Sequence, residues 1–170
     1  LFLVGLLLLG GSIRQLIAVV TAFTIAHSIT LSLAALSIVT PPVRVIEPAI
    51  ALSIIYVGAD NLMVHGGRDV RAWIAFAFGL IHGLSFAGAL GPMRLPPFGL
   101  AGALASFNLG GEAGQISLAW LLVPIAFLLR HESAYRRLVT PAVSLASLFL
   151  AGVWLVDRVF ALDILAFQSL

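Results

Sequence analysis

Asn108, Glu112 and Gln115 lie at offsets of four and seven within one apolar stretch. That spacing puts all three on one face of a helix. A carboxylate between two amides can coordinate a cation, hold a proton or lock helices together. A hydrogen-bonded clamp needs no charge, so Glu112 favours the first two uses. Two histidines sit in other apolar stretches. His27 shares a stripe with Thr24, Ser28 and Leu31, and His82 has Ser85 three residues on. Imidazole is the commonest metal ligand and the side chain whose charge changes nearest neutral pH. Ionisable groups deep in a bilayer cost about 2.5–3.5 kcal/mol each on insertion scales and usually face a bundle interior. His27, His82 and Glu112, with Asn108 and Gln115, are therefore the candidate site. Thr24, Ser28, Ser85, Glu47, Asp60 and Asn61 are its secondary polar lining. Glu47 precedes Pro48 at the expected start of a helix, where the helix dipole favours a carboxylate. Asp60 and Asn61 lie near the other end of that helix, and Ser53 and Tyr56 share its face with Asp60.

The elements that must position these groups follow from composition. The chain has 170 residues, 61% hydrophobic and 9% charged, with mean hydropathy +1.14. Soluble domains run at about 25% charged, so the chain reads as a membrane protein. Polar, Pro and Gly clusters at Gly10–Arg14, Pro41–Arg44, His65–Asp69, Gly91–Pro97 and Arg130–Arg137 divide it into apolar segments. These run Leu1–Leu9, Gln15–Thr40, Glu47–Val64, Ala72–Leu90, Phe98–Leu129 and Thr140–Val159. A span needs roughly 20 apolar residues. The expectation is an all-α polytopic transmembrane bundle forming one domain over residues 1–170. It would have five complete spans plus the tail of a truncated first helix, six spans in a full protein. Gly79 and Gly83, and Gly110 and Gly114, have the GxxxG spacing that lets helices approach closely. Pro124 removes the backbone bond to the Trp120 carbonyl and predicts a kink.

Orientation follows from arginine, the sole basic residue type besides His. Alternate connections carry Arg14, then Arg68 and Arg71, then Arg130, Arg136 and Arg137; the opposite side carries Arg44, Arg94 and Arg158. Positive residues stay on the cytoplasmic side. Loops 10–14, 65–71 and 130–140 are thus expected in the cytoplasm and the C-terminus outside it, in a bacterial inner membrane. His65 and His131 fall in those loops and read as solvated. The sequence also excludes several functions. There is no Cys for disulfides, thiolate metal sites or Fe–S clusters. Two Met are too few for soft copper(I) chemistry. Too few cations are present to track phosphates, so nucleic acid is excluded. There is no HExxH helix, GxSxG elbow or Gly-rich phosphate loop with its Lys.

Four stretches together resemble the signature segments of the HupE/UreJ-type membrane proteins. They are TAFTIAHSITL (Thr21–Leu31), IEPAIALSI (Ile46–Ile54), FGLIHGLSFA (Phe78–Ala87) and FNLGGEAGQ (Phe107–Gln115). The resemblance runs from Leu1 to about Phe160. It implies a nickel or cobalt permease, or an accessory to metalloenzyme maturation. By it, His27 matches the His of the AHS motif and His82 that of the HG motif. Asn108, Glu112 and Gln115 match the polar positions of N-x-G-x-E-x-G-Q, and Glu47 matches the acidic position opening the third helix. Asp60-Asn61 stands where Glu-Asn is more usual. Relatives also carry a His followed by Gly-x-Asp-His just upstream of a run like Leu1–Leu3, which this sequence lacks. The leading expectation is a divalent-metal transporter whose His and Glu side chains exchange protons for nickel or cobalt. The rivals are an intramembrane hydrolase holding zinc with an open position for water, and a structural accessory whose polar groups clamp helices. The expected partners are the lipid bilayer, the metal ion, and either a second copy of the chain or a metalloenzyme-maturation partner.

Overall fold

A backbone surrounded by hydrocarbon must satisfy its own N–H and C=O groups, and an α-helix does so within one segment. The computed structural model describes residues 1–8, 12–63, 69–85, 97–129, 132 and 135–160, and every element among them is helical. The helices are α1 (Phe2–Leu8), α2 (Ile13–Ala35), α3 (Val43–Met63), α4 (Arg71–Ser85), α5 (Pro97–Leu129) and α6 (Thr140–Phe160), the last preceded by a π-helical turn at Tyr135–Val139. Among the described residues, three helical stretches are long and apolar enough to cross a membrane: Ile13–Ala35, Val43–Met63 and Arg137–Phe160. At 1.5 Å per residue, the 21 residues of α3 reach about 30 Å, the thickness of a bilayer's hydrocarbon core.

Local chemistry sets the helix ends. Ser12 and Gln15 form a reciprocal capping box, the Ser12 N–H donating to Gln15 Oε1 at 2.7 Å and the Gln15 N–H to Ser12 Oγ at 3.2 Å. This starts α2 at Ile13, so Arg14 belongs to its first turn and not to a loop. At the other end Ile38 donates to the Leu33 carbonyl at 2.9 Å and Ser37 to that of Ala34 at 3.0 Å. That pairing is a Schellman closure, and it stops α2 at Ala35, short of the expected Thr40. Ser37 occupies the left-handed position with φ 58°. Glycine takes that conformation without a Cβ penalty. Ser37→Gly is expected to stabilise the protein by up to about 1 kcal/mol, read as a raised melting temperature in detergent.

α3 begins earlier than expected. The Pro42 carbonyl accepts from Val45 and Ile46 at 2.9 and 3.3 Å, so the helix starts at Val43. Glu47 is then its fifth residue and Pro48 lies in the second turn. α4 opens on a second cap, in which Asp69 Oδ1 accepts the backbone N–H of Arg71 at 3.1 Å while the carboxylate takes the Arg71 guanidinium at 2.8–2.9 Å. The Arg71 hydrogen bonds hold the Asp69 carboxyl below its ordinary pKa, more than its slight burial raises it. A depressed carboxylate stabilises the fold above its unfolded pKa, near 4, and the contribution is lost as pH falls through the folded value. Asp69→Asn should flatten that acid-side limb in a melting-temperature profile taken from neutral pH down to below about 4.

α2 packs along α4, and α3 along α6, with α3 also touching α4. Phe2, Phe23, Ile50, Ile54, Val57 and Ala75 are central to the shared core. α1 is held by Phe2 and Leu6 in that core and also through its backbone. Asn61 Nδ2 donates to the Gly5 carbonyl at 2.9 Å and the Arg71 guanidinium to that of Leu6 at 3.3 Å. Both are carbonyls of the last turn of α1 as described, Phe2–Leu8. Polarity is inverted relative to a water-soluble domain. Trp73, Trp120 and Phe149 are 70–78% exposed, whereas Ser53, Asn61, Ser144, Ser147 and Asp157 are buried. Outward apolar side chains with polar groups inside fit a hydrocarbon surround.

Candidate histidine site within the helix bundle

Two glycines bring α2 and α4 together. A Cβ on Gly79 would lie 2.8 Å from the Phe23 carbonyl oxygen, and one on Gly83 would overlap the His27 carbonyl and the Thr30 hydroxyl. The helices meet backbone to backbone, and His82, next to Gly83, is carried up to the face of α2 that bears His27. Phe23 links the two rings, stacking on His27 at 5.7 Å between centroids and meeting the His82 ring edge to face at 5.4 Å. Phe2 completes the enclosure, 5.0 Å from His82 and 5.6 Å from both Phe23 and Phe78. α3 contributes Ser53, fully buried, whose Oγ lies 2.9 Å from His82 Nε2. Two half-buried imidazoles thus share a largely aromatic surround in which ring nitrogen is the principal donor.

The other sequence-derived residues scatter. Ser85 turns its hydroxyl to a carbonyl of its own helix, that of His82 at 2.9 Å, as Thr30, not among the expected residues, does to carbonyls of α2. Ser28 and Asp60 are half-buried. Thr24 opens instead on a cavity of about 670 Å³ between α2 and α5, bounded by Ile17, Thr21, Ile116, Trp120 and Pro124. Asn61 is the clamp on α1. Ser53 and Tyr56, expected on one face with Asp60, differ in surroundings: Ser53 is buried and Tyr56 is 45% exposed. Glu47 pairs with Arg158 of α6, Nε to Oε2 at 3.3 Å, with buried Asp157 3.9 Å from the same nitrogen. Six residues separate Glu47 from Ser53, about 9 Å along α3, so this ion pair is a separate layer. Asn108, Glu112 and Gln115 fall on the backbone of α5, and their side chains lie outside the described residues. His65 and His131 lie outside them as well. Around Gly110 and Gly114 nothing among the described residues comes within 4 Å, so the expected close approach at that pair is not found there. α5 continues through Pro124 to Leu129. Among the described residues no three His, Asp or Glu side chains converge where they could hold a metal ion.

Sequence reasoning missed Ser53 as a partner of His82, and missed the phenylalanines. The latter had a signal: Phe23 precedes His27 by four residues, as Phe78 precedes His82, and residues four apart on a helix are neighbours.

Described residues whose elements are all helical, with outward apolar faces, membrane-length helices and half-buried histidines between the helices, define a helical integral membrane protein. Within that class the family is specific, for a family model described as HupE / UreJ protein matches residues 1–158. The chain belongs to the HupE/UreJ family. Neither the curated proteins nor the solved structures give a match.

Proposed function

We propose that the protein is a permease for a divalent transition metal, nickel or cobalt, whose substrate ion is handed through the bundle by His27 and His82 together with Glu112 of α5. The observation that supports it best is the packing of both imidazoles against Phe23, from helices whose histidines are 55 residues apart in sequence. Neutral imidazole and carboxylate, without thiolate, suit a borderline ion. Asn108 and Gln115, on the face of Glu112, would supply further oxygen. Ligands must lose protons to bind, so uptake is coupled to proton release. In this reading the chain crosses a bacterial inner membrane five times, with the connections 10–14, 65–71 and 130–140, which together carry six of the nine arginines, in the cytoplasm. The ion is cargo, and no catalytic step is assigned.

The test is uptake of radiolabelled nickel and cobalt by metal-starved cells expressing the full-length protein. His27→Ala and Glu112→Ala should each abolish most of the uptake at unchanged membrane abundance. Uptake equal to that of the unsubstituted protein would sink the proposal, and intact pathway activity with Glu112→Gln would point to an accessory role.

A further inference from the structure

We propose that Ser53 is a positioning residue that fixes the tautomer of His82, keeping its proton on Nε2 and presenting Nδ1 as the metal-binding atom. Ser53 is fully buried, and its Oγ has two close neighbours, the Ile50 carbonyl at 2.7 Å and His82 Nε2 at 2.9 Å. A serine hydroxyl carries one proton. A carbonyl can only accept, so the shorter contact takes that proton and leaves an Oγ lone pair facing the imidazole. Were Nε2 also a lone pair, two acceptors would meet in a buried site and both would go unsatisfied, at a cost of about 1–3 kcal/mol. Nε2 therefore bears the hydrogen and donates it to Ser53. A neutral imidazole has one N–H, so the remaining lone pair is on Nδ1. The other hydroxyls nearby do not compete: Ser85 donates to the His82 backbone carbonyl, and Thr30 to carbonyls of α2. A partner on the second ring nitrogen is the usual means of orienting a metal-binding histidine. Here α3 supplies it to a ring carried by α4.

The tautomer follows from Ser53 alone; the assignment of Nδ1 to metal rests on the transport reading above. Nitrogen NMR of the purified full-length protein labelled with ¹⁵N-histidine separates the two, with the His82 signals identified by their loss in His82→Gln. At a pH where the ring is neutral, the protonated nitrogen of His82 should be Nε2. Ser53→Ala should release it into a mixture of tautomers, and Ser53→Thr, which keeps a hydroxyl, should restore the single form. A proton on Nδ1 in the unsubstituted protein overturns the proposal even if Ser53→Ala does not fold, and so does an unchanged spectrum in a folded Ser53→Ala. Titration with Ni²⁺ alone forms the second arm. Affinity about 10–100-fold weaker in Ser53→Ala, recovered in Ser53→Thr, supports the assignment of Nδ1. A fixed Nε2–H tautomer in a protein that binds no Ni²⁺ upholds the role of Ser53 and overturns the transport reading.

Discussion

Gly83→Ala should lower the melting temperature of the detergent-purified protein by roughly 2–12 °C. The added methyl would fall on the His27 carbonyl and the Thr30 hydroxyl. Thr30 can rotate, but a carbonyl within a helix cannot move without shifting the helix. Overpacking of this kind costs about 1–3 kcal/mol, more against backbone, and each kcal/mol moves the midpoint by about 2–4 °C in a chain of this size. Gly79→Ala should follow at a smaller cost, because its tightest contact, the Phe23 carbonyl at 2.8 Å, is less severe. Gly102→Ala is the control. No described atom lies within 4 Å of a Cβ there, and alanine is the better helix former by about 1 kcal/mol, so its midpoint should hold or rise. Equal behaviour of Gly83→Ala and Gly102→Ala would mean that α2 and α4 do not cross at this glycine.

His27→Ala and His82→Ala should each reduce nickel uptake by a factor of at least about 10, and the double substitution should do little more. In the permease reading the two rings hold one ion and act as a unit, so removing either forfeits most of what the pair provides and the losses do not add. Even an outer-shell partner of a metal ligand is worth about 10–100-fold. Independent roles would instead give losses that multiply. The measurement is initial uptake rate against nickel concentration for all four proteins at matched abundance. Multiplicative losses would place the two histidines at separate stations along the path.

Much of this arrangement is legible before folding, because hydrocarbon leaves the backbone so few choices. Apolar runs bounded by Pro, Gly and Arg become helices, and α6 matches its expected segment to within a residue. Boundaries moved where local hydrogen bonding decided them, at the Ser12–Gln15 box and at the Pro42 carbonyl. Contacts between helices were less accessible. The two GxxxG pairs look alike in sequence, yet the pair at Gly79 and Gly83 meets a neighbour while nothing described lies against Gly110 and Gly114. Spacing says which residues share a face and is silent about what that face meets. For the same reason Ser53 and His82, 29 residues apart, and Glu47 and Arg158, on α3 and α6, could be named singly but not paired. His27 and His82 stood out because each is expensive at depth; Phe23, ordinary in such a chain, did not.

The attachment of α1 through the Gly5 and Leu6 carbonyls has an evolutionary consequence. A carbonyl belongs to every residue, so substitutions at the half-buried Leu3 and Val4 leave both of these hydrogen bonds in place. Phe2, Leu6 and Leu7 are constrained by their burial, and Gly5 because a Cβ there would lie 2.8 Å from Val57. Insertions and deletions are a different matter. One residue more or less within α1 turns the following carbonyls by about 100°, and Asn61 and Arg71 would lose their acceptors together. The segment should therefore tolerate change at Val4, keep apolar residues at its buried positions, and vary hardly at all in length.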